Sequence, residues 1–194
     1  MARRREPDPL LNGVPEIEGF KVLDPCVLYT RIGAGGMGAV YYGKHLTLNV
    51  DVAVKCLKRE LAERDEDFVV RFQREAQLAA EIHHQNLVGV FTVDQRDGVH
   101  YLVMEYVKGE TALDRVERKG PLELREACTV AYGAACGLAA AHRKGIVHRD
   151  VKPENIMIAG TGEVKLADLG LAKAVESDNQ VTHFGMVMLS LIHI

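Results

Sequence analysis

The residue types best suited to chemistry are gathered in His148-Arg149-Asp150-Val151-Lys152-Pro153-Glu154-Asn155. Asp150 can take the proton from an attacking hydroxyl, and Asn155 can offer an amide oxygen to a hard cation. Lys152 can neutralise charge on a phosphoryl group in flight. A capped polar loop would explain some of these residue types, but not their order and spacing. Downstream, Asp168-Leu169-Gly170 follows a short apolar run. An isolated Asp-x-Gly is a turn; placed after Asp150 and Asn155, it becomes a second oxygen ligand. Asp168 and Asn155 then pair an anionic with a neutral oxygen, a set suited to Mg²⁺, which keeps several waters and bridges phosphates.

The phosphates have a candidate cradle upstream. Gly33-Ala34-Gly35-Gly36-Met37-Gly38-Ala39-Val40 fits G-x-G-x-x-G-x-V. Glycines there let backbone amides approach phosphate oxygens and adopt positive φ without penalty. Dinucleotide-binding folds share the pattern, but their glycines open a helix. Here they run into Ala39-Val40-Tyr41-Tyr42, a strand-forming stretch, which predicts a hairpin lying over phosphates. Lys55, in Val52-Ala53-Val54-Lys55, sits mid-strand, where a lysine alone reads equally well as an exposed edge residue. Glu75 changes that balance. It shares a helix face with Phe72 and Ala79, and a carboxylate on a buried face needs a cation. Lys55 is the natural partner, and the pair would hold an ammonium against the α- and β-phosphates.

Other elements must position these groups. Residues 1–26 mix Arg, Glu, Pro, Asn and Gly without periodicity and predict a flexible extension. Strand-like runs begin at Val27, continue through Val40-Tyr41-Tyr42, and recur from Val50 to Leu57. A helix follows from about Glu66, with Phe68, Phe72, Ala76 and Ala79 stacked on one face. Two further strands, Leu87 to Val93 and Val99 to Met104, flank the turn Arg96-Asp97-Gly98. Beyond a connector at 105–110 the pattern turns helical. Pro121 stands where a helix would start, Leu124, Ala127, Cys128, Ala131, Ala135, Leu138 and Ala139 keep the repeat, and Gly145 ends it. Short β signals return at Ile146-Val147, Ile156-Met157-Ile158 and Val164-Lys165-Leu166. The expectation is an α+β chain of two lobes. The first, 27–104, holds a five-stranded antiparallel sheet and one helix; the second, 111–188, is mostly helical.

Composition narrows the partners. The chain has 194 residues, 47% hydrophobic and 26% charged, with net charge -3. No large positive field argues for nucleic acid, and the one basic run, Arg3-Arg4-Arg5, reads as a solvated terminus. Cys26, Cys56, Cys128 and Cys136 show neither CxxC pairing nor metal-ligand spacing, which fits thiols in a reducing compartment. No apolar signal region and no bilayer-length apolar run is present. These features predict a cytoplasmic segment with no nucleic-acid or membrane partner.

In this order the segments resemble the protein kinase superfamily: glycine-rich loop, strand Lys, helix Glu, H-R-D loop and D-F-G. Val151-Lys152-Pro153-Glu154-Asn155 resembles the Ser/Thr branch. Ile32 to Gly38 and Gly145-Ile146-Val147-His148 are similar to bacterial eukaryotic-like kinases. The resemblance implies ATP and Mg²⁺ as ligands and protein substrates bearing Ser or Thr. It carries over Asp150, Lys152, Lys55 and Glu75 as catalytic residues, and Asn155 and Asp168 as metal ligands. Ile32, Gly33, Ala34, Gly35, Gly36, Met37, Gly38 and Lys55 would bind the nucleotide, with the glycine backbone and Lys55 at the phosphates. Val40, Ala53 and Met157 would sandwich adenine, Met104 would be the gatekeeper, and the Glu105 and Val107 backbones would meet the adenine edge. Arg149 beside Asp150 implies control by phosphorylation, with Thr182 a candidate site. A non-catalytic nucleotide-binding scaffold and a small-molecule phosphotransferase of related fold are the competing readings. Two positions depart from the pattern. Leu169 replaces the usual Phe and keeps an apolar plug. Leu189-Ser190-Leu191-Ile192-His193-Ile194 stands where a Gly-Thr-Pro and A-P-E segment would follow, which predicts a non-native tail over 189–194, an incomplete helical lobe, and weak activity of this segment alone.

Overall fold

The structure is a computed structural model and describes residues 8–169. The expectations for Arg3-Arg4-Arg5, Thr182, the segment after Leu169 and the tail 189–194 lie outside the described residues.

Alternating apolar residues build one antiparallel sheet: β1 (Glu16–Ile17), β2 (Phe20–Leu23), β3 (Cys26–Ala34), β4 (Gly38–His45), β5 (Val50–Leu57), β6 (Val90–Arg96) and β7 (Val99–Glu105). Its order is β1-β2-β3-β4-β5-β7-β6. Because strand residues point alternately to opposite faces, the sheet carries two apolar surfaces. One gathers Leu28, Ala39, Tyr41, Val52, Val54, Val99, Tyr101 and Val103. The other packs Ala53, Leu57, Leu102 and Met104 against Phe68, Phe72 and Ala76. Those last three lie on α2 (Glu66–Ala80), preceded by the short α1 (Arg59–Arg64). Asp65 starts α2 by accepting the Phe68 amide at 2.8 Å, and Phe68, Phe72, Ala76 and Ala79 are its buried residues, as their spacing predicts.

All five expected strands form, but the stretch before them differs from the sequence reading. Residues 8–26 are ordered: a short turn at Pro9–Leu11 and the β1–β2 pair extend the sheet. Leu11 and Val14 are buried in its first apolar face. Two isolated anchors have no periodicity, so a loop-like composition hid them. A second adjustment concerns Leu87, which is not the start of β6. It forms a parallel bridge with Leu166.

Below the sheet lie β8 (Gly109–Thr111), α3 (Ala112–Lys119), α4 (Leu124–His142), β9 (Ile156–Ala159) and β10 (Val164–Leu166). The three short strands form a second sheet, β10-β9-β8. Part of the expected connector is therefore strand: Gly109 and Glu110 pair with Ala159 and Ile158. Helix α3 was not anticipated, although its signal is local. Thr111 Oγ1 accepts the Asp114 amide at 3.0 Å, and the Thr111 amide donates to Asp114 Oδ2 at 3.2 Å, a reciprocal cap that satisfies two orphan donors. Pro121 precedes α4 rather than opening it, and Ile146-Val147 forms no strand. Helix α4 lies against β10 through Gly133 and against the Asn86–Leu87 segment through Gly137. A Cβ would stand 2.6 Å from Val164 Cβ at the first and 2.4 Å from the Asn86 carbonyl oxygen at the second. Asn86 Nδ2 donates in turn to the Val164 carbonyl at 2.8 Å. Among the described residues no helix is long and apolar enough to cross a membrane.

Candidate active site

The glycine motif forms the predicted hairpin. Gly33 pairs with Val40 and Ala34 with Ala39, and the Gly35 amide donates to the Gly38 carbonyl at 2.9 Å. Gly38 is required by its neighbours, since a Cβ there would stand 1.9 Å from the Cys56 carbonyl oxygen. Gly35 and Gly36 differ: a Cβ at either would meet nothing within 4 Å. The protein's own packing makes no demand there, so what glycine provides is bare backbone at an open tip, open to a ligand. Positive φ plays no part, because none of these four glycines adopts it.

Behind the hairpin, Val40 packs into the cluster that contains Ala53 and Met104. Val107 is buried within the connector. Met157 lies on β9, opposite Thr111 and Lys165. The Glu105 amide is already committed to the Gly89 carbonyl at 2.8 Å. Its side chain has a role the sequence reading missed: Oε1 lies 3.0 Å from Lys165 Nζ, and Oε2 accepts the Gly89 amide at 3.1 Å. A lysine inside the apolar run Val164-Lys165-Leu166 signalled that need, since a buried ammonium requires a partner.

The H-R-D segment is tied down from several sides. His148, 1% exposed, places Nε2 at 2.8 Å from the Ala167 carbonyl, while Nδ1 accepts the Asp150 amide at 3.3 Å. Asn155 is buried, and its Nδ2 donates to the Asp150 carbonyl at 2.8 Å and to Asp150 Oδ2 at 3.1 Å. Lys152 Nζ lies 3.0 Å from the same Oδ2, and that hydrogen bond to Asp150 holds the lysine's pKa above its ordinary value. Two residues at this site, Arg149 and Asp168, have φ of 63° and 58°. Left-handed backbone costs a non-glycine residue roughly 1–2 kcal/mol, and such strain gathers where side-chain aim matters.

The upper carboxylate–lysine pairing is not the expected one. Lys55 Nζ lies 2.8 Å from Asp168 Oδ1, with the two side chains 12% and 28% exposed. Glu75 Oε2 is buried and has no hydrogen-bond partner among the described residues. Burial pushes the Glu75 carboxyl up from its usual range, opposed by the charges of Arg149 and Arg71. Helical spacing fixed the face on which Glu75 lies; it carried no information about how near α2 stands to β5. Leu169 is buried with Ala79, Ile82, Leu87 and Leu166, the plug its substitution for Phe predicts.

The sheet with its single long helix, the glycine hairpin and the Asp150–Asn155 loop together describe a protein-kinase fold, part of which is present. Residues 27–188 match the protein kinase domain family, and the chain belongs to it. It is similar to the serine/threonine-protein kinase PknB of Mycobacterium tuberculosis, 43% identical over 162 residues, which is 81% of this chain and 26% of PknB. It is also similar to PrkC of Bacillus subtilis, 39% identical over 160 residues, covering 82% of this chain and 24% of PrkC. The chain thus spans about a quarter of the length of these curated relatives. Among solved structures, the M. tuberculosis PknI kinase domain aligns with TM-score 0.70 and 31% identity, over 77% of this chain and 60% of that one.

Proposed function

We propose that this chain carries the nucleotide site and catalytic loop of a Ser/Thr protein kinase, which moves the γ-phosphoryl group of ATP to hydroxyls of cytoplasmic proteins. One observation carries the reading. The Asp150 carboxylate is gripped at one oxygen by Asn155 and Lys152, and the segment bearing Asp168 is tied to the same loop through His148. Asp150 Oδ1 is left to accept the hydroxyl proton. Lys152, kept protonated by its carboxylate partner, adds positive charge beside the transferred group. Backbone at the tip of the glycine hairpin contacts the phosphates, and Lys55 fixes their position from β5. Val40, Ala53 and Met104 supply an apolar wall for adenine, with Met157 on the opposite sheet.

The donor set fits Mg²⁺: Asp168 is a partly exposed carboxylate, and Asn155, with Nδ2 spent on Asp150, offers Oδ1. Mg²⁺ held by these two would supply positive charge to the phosphate oxygens. Positioning and electrostatics then account for the reaction, with Asp150 as base. The test is transfer of labelled γ-phosphate to a generic Ser/Thr-containing protein by the full-length protein. Turnover of about 1–100 s⁻¹ is expected, and Asp150→Asn should remove a factor of about 10²–10⁴ while leaving ATP binding within a few fold. ATP binding without any transfer would support a nucleotide-binding scaffold instead. Unchanged transfer in Asp150→Asn would exclude Asp150 as the base.

A further inference from the structure

Residues 8–24 precede the segment that matches the family, yet they pack against the strands that carry the glycine turn. Leu11 and Val14 share a buried cluster with Ala39 and Tyr41. Asp8 divides its carboxylate between this strap and the sheet. Its Oδ1 accepts the Leu10 amide at 3.1 Å and closes the turn over Pro9–Leu11. Its Oδ2 accepts the Tyr41 hydroxyl at 2.6 Å, with Arg31 Nη1 3.5 Å from the same atom. Arg31 and Tyr41 are cross-strand partners, and the register of β3 and β4 breaks between Arg31 and Gly33. One carboxylate therefore touches both arms of the hairpin at the last pair before the break.

Beside the turn lies an open pocket of about 270 Å³, lined by Asp8, Leu10, Gly35 and Gly38 together with Lys58 and Glu60. Tyr41 itself is buried, and burial followed by the Asp8 carboxylate holds its phenol far above the ordinary range. It stays a donor at any working pH.

We propose that Asp8 and Tyr41 are positioning residues for the glycine hairpin. The strap fixes how high the hairpin stands over the nucleotide, and the pocket gives the turn room to retreat when the contact is broken. The proposal rests on the nucleotide reading above. Its consequence is a change in nucleotide affinity without a matching change in global stability.

The experiment measures ATP affinity by calorimetry and amide hydrogen exchange over residues 33–38 in the full-length protein. Tyr41→Phe keeps the ring and removes only the hydroxyl. It should raise the ATP Kd about threefold to tenfold, the effect of one lost hydrogen bond, and speed exchange at the turn. Asp8→Ala should do the same, and Asp8→Asn, which keeps one of the two acceptor oxygens in use, should fall between Asp8→Ala and wild type. Val130→Ala, which truncates a buried side chain packed against Ala112 and Val164 and away from the strap, should lower the melting temperature and leave the Kd unchanged. Wild-type affinity and exchange in Tyr41→Phe would overturn the proposal. So would equal weakening by Val130→Ala, because the effect would then be general loosening. Failure of the wild type to bind ATP would strike the functional reading instead, and the exchange comparison would still decide the role of the strap.

Discussion

Along the lower rim of the cleft, Asp150 is held by its own sequence neighbours: the Asp150–Asn155 bonds span five residues, and the His148–Asp150 bond spans two. Across the upper rim, Lys55 on β5 and Glu75 on α2 are not joined, and Lys55 reaches Asp168 instead. Geometry set by a short loop closes whenever the loop forms. Geometry set by two separately packed elements depends on how those elements lie, and small shifts of α2 can change the partner. The lower rim is therefore prebuilt, while the upper rim is adjustable.

The largest test of that contrast is Lys55→Met. Removing the cation that bridges the rims should lower phosphoryl transfer about a hundredfold or more, measured on a protein substrate, with the fold retained. Transfer close to wild type would mean that the upper rim does not take part at all. Phe72→Ala addresses the helix itself. Phe72 is 1% exposed between α2 and the sheet, and its truncation should remove about 3–5 kcal/mol of stability, read from denaturant unfolding. Asn155→Ala probes the lower rim: two hydrogen bonds to Asp150 disappear at a buried position, and a loss of about 1–3 kcal/mol is expected. A loss below the range of an exposed substitution would show that the loop is held by something other than Asn155.

The smallest effect belongs to Glu75. Its folded pKa is raised above the ordinary carboxylate value, burial being the main cause. A raised folded pKa means the native state holds the proton more tightly than the unfolded chain. The stabilising contribution is therefore fully present below the unfolded value, near 4.5, and is lost as pH climbs through the higher folded value. Glu75→Gln cannot lose a proton, so the stability gap between variant and wild type should widen in favour of Gln between acid and neutral pH. Parallel curves would show that Glu75 is well solvated or well paired at neutral pH. If turnover requires Lys55 to meet Glu75, the same variant should also reduce transfer, which separates a working pair from a bystander.

Much of this was legible before any coordinates. Period-two runs fixed β3 to β5 and β7, and period 3.6 fixed the buried face of α2, because both signals come from burial of alternating or stacked side chains. The Asp150–Asn155 geometry was legible because its spacing is local. What stayed hidden was of two kinds. Leu11 and Val14 are single anchors without a repeat, so no periodicity announces them. The choice of Lys55 between Glu75 and Asp168 is a matter of distance between elements, which residue order does not encode. Helix α3 is a different case, since the Thr111–Asp114 cap that starts it is a local signal readable in the sequence.

Gly133 brings α4 directly onto Val164 of the strand that leads to Asp168, and Gly137 brings it onto Asn86, whose carbonyl holds that strand at Leu166. A methyl group at either site would act as a shim between helix and strand, and the strand is the short lever on whose end that carboxylate rides. The aim of that carboxylate thus depends on two missing side chains on α4, outside the catalytic loop itself.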